Sequence, residues 1–95
     1  MPKLRPNPFN INSIIDSKLN DVKKALVQAI KVKACITGIK APMIAKAMGT
    51  TTRTYYNRLR RPELFTLSEL IGVFEVLKFK EEDYIKILNG KVVNE

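Results

Sequence analysis

The chain has no histidine and no tryptophan, and its only cysteine is Cys35. A disulfide framework within the chain is therefore excluded, as is a zinc site built from Cys and His ligands. Without histidine, general acid–base catalysis loses its commonest residue. Neither paired carboxylates nor a phosphate-cradling glycine loop takes its place. No enzymatic activity, cofactor, metal or small-molecule ligand is expected. No run approaches the ~18 uncharged apolar residues that span a bilayer, and Met1-Pro2-Lys3-Leu4-Arg5 lacks the core of a signal peptide. The expectation is a cytoplasmic protein without membrane contact, a location that suits a lone thiol.

What is present is cationic charge, unevenly spread. Seventeen Lys and Arg stand against nine Asp and Glu, a formal net charge of +8. Residues 40–61 carry six basic side chains (Lys40, Lys46, Arg53, Arg58, Arg60, Arg61) and no acidic one, whereas residues 62–95 carry four basic and seven acidic. Such segregation gives the molecule a positive face and favours a polyanionic partner. Apolar residues make up 45% of the 95 positions, enough for one modest core in one domain.

Residues 1–12 hold three of the five prolines and show no apolar period. They read as an arm, flexible unless something holds it. From Ile14, apolar residues recur at helical spacing through Ile15, Leu19, Val22, Leu26, Ala29, Ile30 and Ile36, with lysines mostly between them. This predicts one long amphipathic helix ending near Thr37-Gly38. A short helix follows over residues 41–48, with Pro42 in its first turn, Ile44, Ala45 and Met48 inward, and Gly49 at its end. The run Thr50-Thr51-Thr52 offers a hydroxyl cap for a third helix, stopped before Pro62, with Tyr55 and Leu59 inward. Thr66-Leu67-Ser68-Glu69 reads as a capping box opening a fourth helix, whose inward residues are expected to be Leu67, Leu70, Ile71, Phe74 and Leu77. A fifth helix spans about 80–89, with Tyr84, Ile85 and Leu88 apolar and Glu81-Glu82-Asp83 suited to its positive N-terminus. The expected fold is all-α, with four or five helices over residues 13–90 and a short tail from 91.

Residues 38–59 combine a short helix carrying the small residue Ala45, a tight turn at Gly49, and a helix whose outer face is polar and basic. A helix-turn-helix needs this pattern: a small side chain where two helices cross, a left-handed residue in the turn, and a second helix free on one edge. On these residues the chain resembles the lambda-repressor-like (Cro/repressor, XRE-type) family, in its phage and mobile-element branch. Ile44-Ala45-Lys46-Ala47-Met48-Gly49 is similar to that family's second helix and turn. Thr54-Tyr55-Tyr56-Asn57-Arg58-Leu59 resembles the Thr-Phe-Tyr-Asn-Lys-Leu run of its recognition helix, and Phe65-Thr66-Leu67-Ser68-Glu69-Leu70 the start of its fourth helix. The family often opens its second helix with Gln after a Ser or Thr cap. Here Ala41 and Lys40 stand in those places, so the phosphate contact usually made by that Gln would fall to Lys40 by charge.

The resemblance implies a compact four- to five-helix DNA-binding domain, with its helix-turn-helix at about 41–61, acting as a transcriptional regulator on double-stranded DNA. A homodimer on two half-sites is also implied, its surface open among the fifth helix, Val92-Val93 and the N-terminal arm. It puts Thr51, Thr52, Arg53, Tyr56 and Asn57 toward the bases, Arg53 suiting guanine O6/N7 and Asn57 adenine N6/N7. Lys40, Lys46, Arg60 and Arg61 suit phosphates, as does the Tyr56 hydroxyl. Arg58 reads as a solvated cation or a phosphate contact, Cys35 as a small buried residue, and the lysine stripe of the first helix as a wet face. A nucleic-acid accessory factor without sequence preference, or a protein-interaction module on the same fold, are the alternatives.

Overall fold

The structure, a computed structural model, describes residues 11–91, with side chains from Ile14 onward. Five α-helices and one turn of 3-10 helix follow in order: α1 (Ile11–Thr37), α2 (Ala41–Met48), α3 (Thr52–Arg60), the 3-10 turn (Pro62–Leu64), α4 (Leu67–Val76) and α5 (Glu81–Leu88). The described residues contain no strand. Helix α1 begins at Ile11, so residues 11 and 12 belong to it and not to the expected arm. Residues 1–10 and 92–95, which carry the rest of the arm and Val92-Val93, lie outside the described residues.

Local chemistry sets the helix ends. Gly38 and Gly49 take left-handed φ angles of 73° and 76°. At the second, the Gly49 and Thr50 N–H groups donate back to Lys46 and Ala45 carbonyls (3.0 Å each), closing α2 and turning the chain. The Thr51 hydroxyl accepts the Thr54 N–H at 3.2 Å and starts α3. The expected capping box is present: Thr66 Oγ1 accepts the Glu69 N–H (3.1 Å), and Glu69 Oε1 accepts the Thr66 N–H (3.0 Å). Asp83 caps α5 by accepting the Lys80 N–H at 2.8 Å.

Helix α2 lies between α3 and α4, while α1 runs along α5 and touches the 3-10 turn. The core joins Leu26, Ala29 and Ile30 of α1, Ile44, Ala45 and Met48 of α2, Tyr55 of α3, Val73 and Leu77 of α4, Phe79, and Ile87 of α5. Phe74, Phe79 and Tyr84 cluster with ring centroids 4.8–6.4 Å apart.

Several expected faces are corrected. Leu67 and Ile71 are exposed, while Leu70, Val73 and Leu77 point inward together with Glu69. The capping box draws Glu69 down onto Thr66, and this fixes the rotation of α4. In α5, Ile85 and Leu88 are exposed, and Asp83 and Ile87 take the inner side because Asp83 is drawn toward α1. Ile14, Ile15, Leu19 and Ile36 of α1 are exposed too, since the body of the protein covers only the middle of that helix. Cys35 is exposed rather than buried. Lys33, expected on the wet face, is 6% exposed. Its ammonium lies 3.2 Å from Asp83 Oδ2 and 5.8 Å from the centre of the Phe79 ring.

Candidate nucleic-acid interface

Helices α2 and α3 pack together, with Ala45 of α2 (1% exposed) and Tyr55 of α3 in the shared core. Tyr55 anchors α3 by turning its ring into the core, and its hydroxyl pKa is raised, first by burial and then by the neighbouring Tyr56. With Tyr55 inward, the 100° step per residue turns Arg53, Tyr56, Asn57 and Arg60 outward as one face. Arg53, Tyr56 and Arg60 are exposed, and Thr52 and Asn57 are half-buried. The Arg53 guanidinium makes no hydrogen bond or ion pair with another described residue.

The individual groups differ in how free they are. Thr51 is exposed, yet its hydroxyl already caps α3 and donates to Thr54 Oγ1 at 3.1 Å. Asn57 Oδ1 accepts a hydrogen bond from Arg60 Nη2. The Asn57 amide keeps its NH2 donors and one lone pair of Oδ1, and a phosphate that drew Arg60 away would release the other. Arg61 lies 3.5 Å from Glu63, which also receives Lys23 at 3.5 Å. Glu63 has a lowered pKa, held by a backbone hydrogen bond and then by these cations against desolvation. Lys40 and Lys46 are exposed at the two ends of α2.

Arg58 is neither a solvated cation nor available to a phosphate. Its Nε and Nη2 donate to Glu69 Oε1 (2.9 Å) and Oε2 (3.3 Å), a forked pair that ties α3 to the start of α4. The Arg58 bond is the largest influence lowering the Glu69 pKa, ahead of opposing desolvation. The pair fixes the rotation of α3 that presents Arg53 and Asn57.

The sequence reading missed one part of this surface. Lys24, Gln28 and Lys31, at i, i+4 and i+7 of α1, are exposed on one face. With Lys23 they form one bank of an open groove whose other bank is Leu59, Arg60 and Pro62. The groove continues past Lys31 to Lys40 and Tyr56. The lysine stripe is thus a second cationic wall beside α3, recognisable in sequence only once the position of α3 across the groove from α1 is known. Among the described residues, no three His, Cys, Asp or Glu converge on a point where a metal could bind, and no helix is long and apolar enough to cross a membrane.

The chain matches no protein-family model, no curated protein and no solved structure.

Proposed function

We propose that the chain binds double-stranded DNA in a sequence-specific way, with α3 in the major groove, as a transcriptional regulator of the phage or mobile-element type. The observation that carries this reading is the outward face of α3, cationic and unobstructed, standing on a two-helix unit with a glycine turn. A helix about 10–12 Å across fits a major groove about 12 Å wide. In this reading Arg53 and Asn57 address guanine and adenine edges, with Tyr56 and Thr52 beside them. Lys40, Lys46, Arg60 and Arg61 hold phosphates, and Lys24 and Lys31 extend that grip onto α1. Thr51 contributes mainly by holding the helix end that carries Arg53. Occupation of an operator would then exclude or recruit other proteins.

Base and phosphate contacts have separable signatures. Replacing Arg53→Ala is expected to cost about 1–3 kcal/mol on the preferred duplex and little on random DNA. Replacing Lys46→Ala is expected to weaken every duplex alike and to reduce the salt slope by about one unit. Fluorescence anisotropy titrations of the two variants at several salt concentrations check this. Identical effects on preferred and random duplexes would show that Arg53 reads no base.

A further inference from the structure

A groove of about 340 Å³ runs between α4 and α5, inside the range of small-molecule sites, about 300–1,000 Å³. Helical spacing builds its walls. Ile71, Phe74 and Glu75 stand at i, i+3 and i+4 on α4, and Tyr84 and Leu88 at i and i+4 on α5, with the buried Ile87 also in the lining. Phe74 and Tyr84 bring two aromatic rings, their centroids 5.0 Å apart and their planes at 49°. Glu75 is the one charged residue of the lining. It is exposed, and its carboxylate makes no hydrogen bond or ion pair with another described residue. The neighbouring groove, on the α1 side of Leu88, is also apolar, but its charged residue is the cation Lys18.

We infer that the groove between α4 and α5 binds a small organic cation with an apolar body, an alkylammonium or arylammonium. Two features select this class. The apolar walls take the body of the ligand out of water, which supplies affinity in proportion to the area covered. The rings of Phe74 and Tyr84 and the unpaired carboxylate of Glu75 then favour a positive head group over a neutral or negative one. The net charge of the whole chain, +8, works the other way and draws anions. A preference for a cation at this place is therefore a property of the groove and not of the overall field. Helix α4, which forms one wall, also carries Glu69, the partner of Arg58 on α3. An occupant of the groove touches the element that orients the outward face of α3. The inference goes beyond the DNA reading and does not depend on it.

Amide nitrogen–proton correlation spectra of the full chain without nucleic acid, titrated with hexyltrimethylammonium, test it. Shifts centred on residues 71–75 and 84–88 are expected, saturating with a dissociation constant of about 1 mM or below. Hexanol, with the same chain and no charge, and hexanoate, with the opposite charge, are each expected to bind there at least about tenfold more weakly. Glu75→Gln is expected to weaken the cation by about tenfold and to leave hexanol unchanged. Leu88→Lys is expected to abolish cation binding and to keep the far-UV circular dichroism of the parent, because Leu88 is mostly exposed. Absence of shifts at residues 71–75 and 84–88 overturns the inference, as do shifts equally large at residues 14–22 across the neighbouring groove. A cation that binds no more tightly than hexanol overturns it too, as does a Glu75→Gln chain that binds the cation as tightly as the parent. Groove resonances that move with protein concentration and not with the cation overturn it in favour of a second copy of the chain on this face.

Discussion

Asp83→Ala is expected to destabilise the fold by about 1–3 kcal/mol, the cost of taking a hydrogen-bonded partner from buried polar groups. Small domains have only about 5–15 kcal/mol in total, so the loss should show as a clearly lower unfolding midpoint. Two losses coincide. Lys33, 6% exposed, loses the carboxylate 3.2 Å away. The Lys80 N–H at the start of α5 loses its acceptor. Asp83→Asn separates these losses, because the amide oxygen can still cap α5 while the charge is gone; it should fall between the parent and the Ala variant. Urea unfolding of the three chains checks the order, and an Ala variant as stable as the parent would mean that the pair contributes nothing.

The same site gives the stability an acid limb. Burial alone would raise the Asp83 pKa, but the Lys80 N–H and the Lys33 ammonium outweigh burial and lower it. Glu69 is lowered as well, chiefly by Arg58. A carboxyl whose folded pKa lies below its unfolded value stabilises the fold above the unfolded value, about 4 for Asp and Glu, and loses that contribution as pH falls through the folded value. Stability should therefore be level from neutrality down to about pH 5 and decline below about pH 4. The decline should be shallower in Asp83→Asn. A limb of equal steepness in both chains would show that Asp83 does not titrate with folding.

Gly72→Ala should cost about 3 kcal/mol, although the same change at an ordinary helical position stabilises by up to about 1 kcal/mol. The sign reverses because α4 crosses α2 with backbone against backbone. A Cβ on Gly72 would lie 2.2 Å from the Ala47 carbonyl oxygen and 2.8 Å from its carbon. Neither atom belongs to a side chain that can rotate aside, so the two helices must separate. For a domain of this size the loss corresponds to roughly 12–24 °C in Tm. Since Arg58 and Glu69 tie α3 to α4, separation also tilts α3 away from α2, and DNA affinity should fall with stability. A thermal melt equal to or above that of the parent would show that α2 and α4 are not in this contact.

Most helix ends were legible in the sequence because each is set within a few residues: Gly38 and Gly49 by left-handed backbone, Thr51 and Thr66-Glu69 by side-chain caps, and the end of α3 by Pro62; the start of α1 at Ile11, inside the expected arm, was not. The two short helices α2 and α3, joined at Gly49, followed from the same punctuation. The inward faces of α4 and α5 were not legible. Both helices carry apolar residues on more than one side, so period alone cannot choose between Ile71 and Val73 or between Leu88 and Ile87. Of the polar groups that choose, Asp83 acts through a partner 50 residues away, while Glu69 is drawn in by its cap on Thr66 and also pairs with Arg58, 11 residues back. For the same reason Lys33 read as one more surface lysine, and Arg58 as a free cation beside Arg53. The candidate base contacts follow from the position of Tyr55, while the lysine bank of α1 requires the tertiary packing.

In the proposed function the open cationic face of α3 reads base sequence in duplex DNA. The most direct test selects a preferred duplex from a random pool and titrates the full chain against it and against random duplexes over a range of salt. Neutralising five or six phosphates per chain gives an expected slope of log affinity on log salt of about −4.5 to −5.4. The selected duplex should bind at least ~10³-fold more tightly than random ones at physiological salt. Equal affinity for selected and random duplexes, or binding that does not respond to salt, would contradict it.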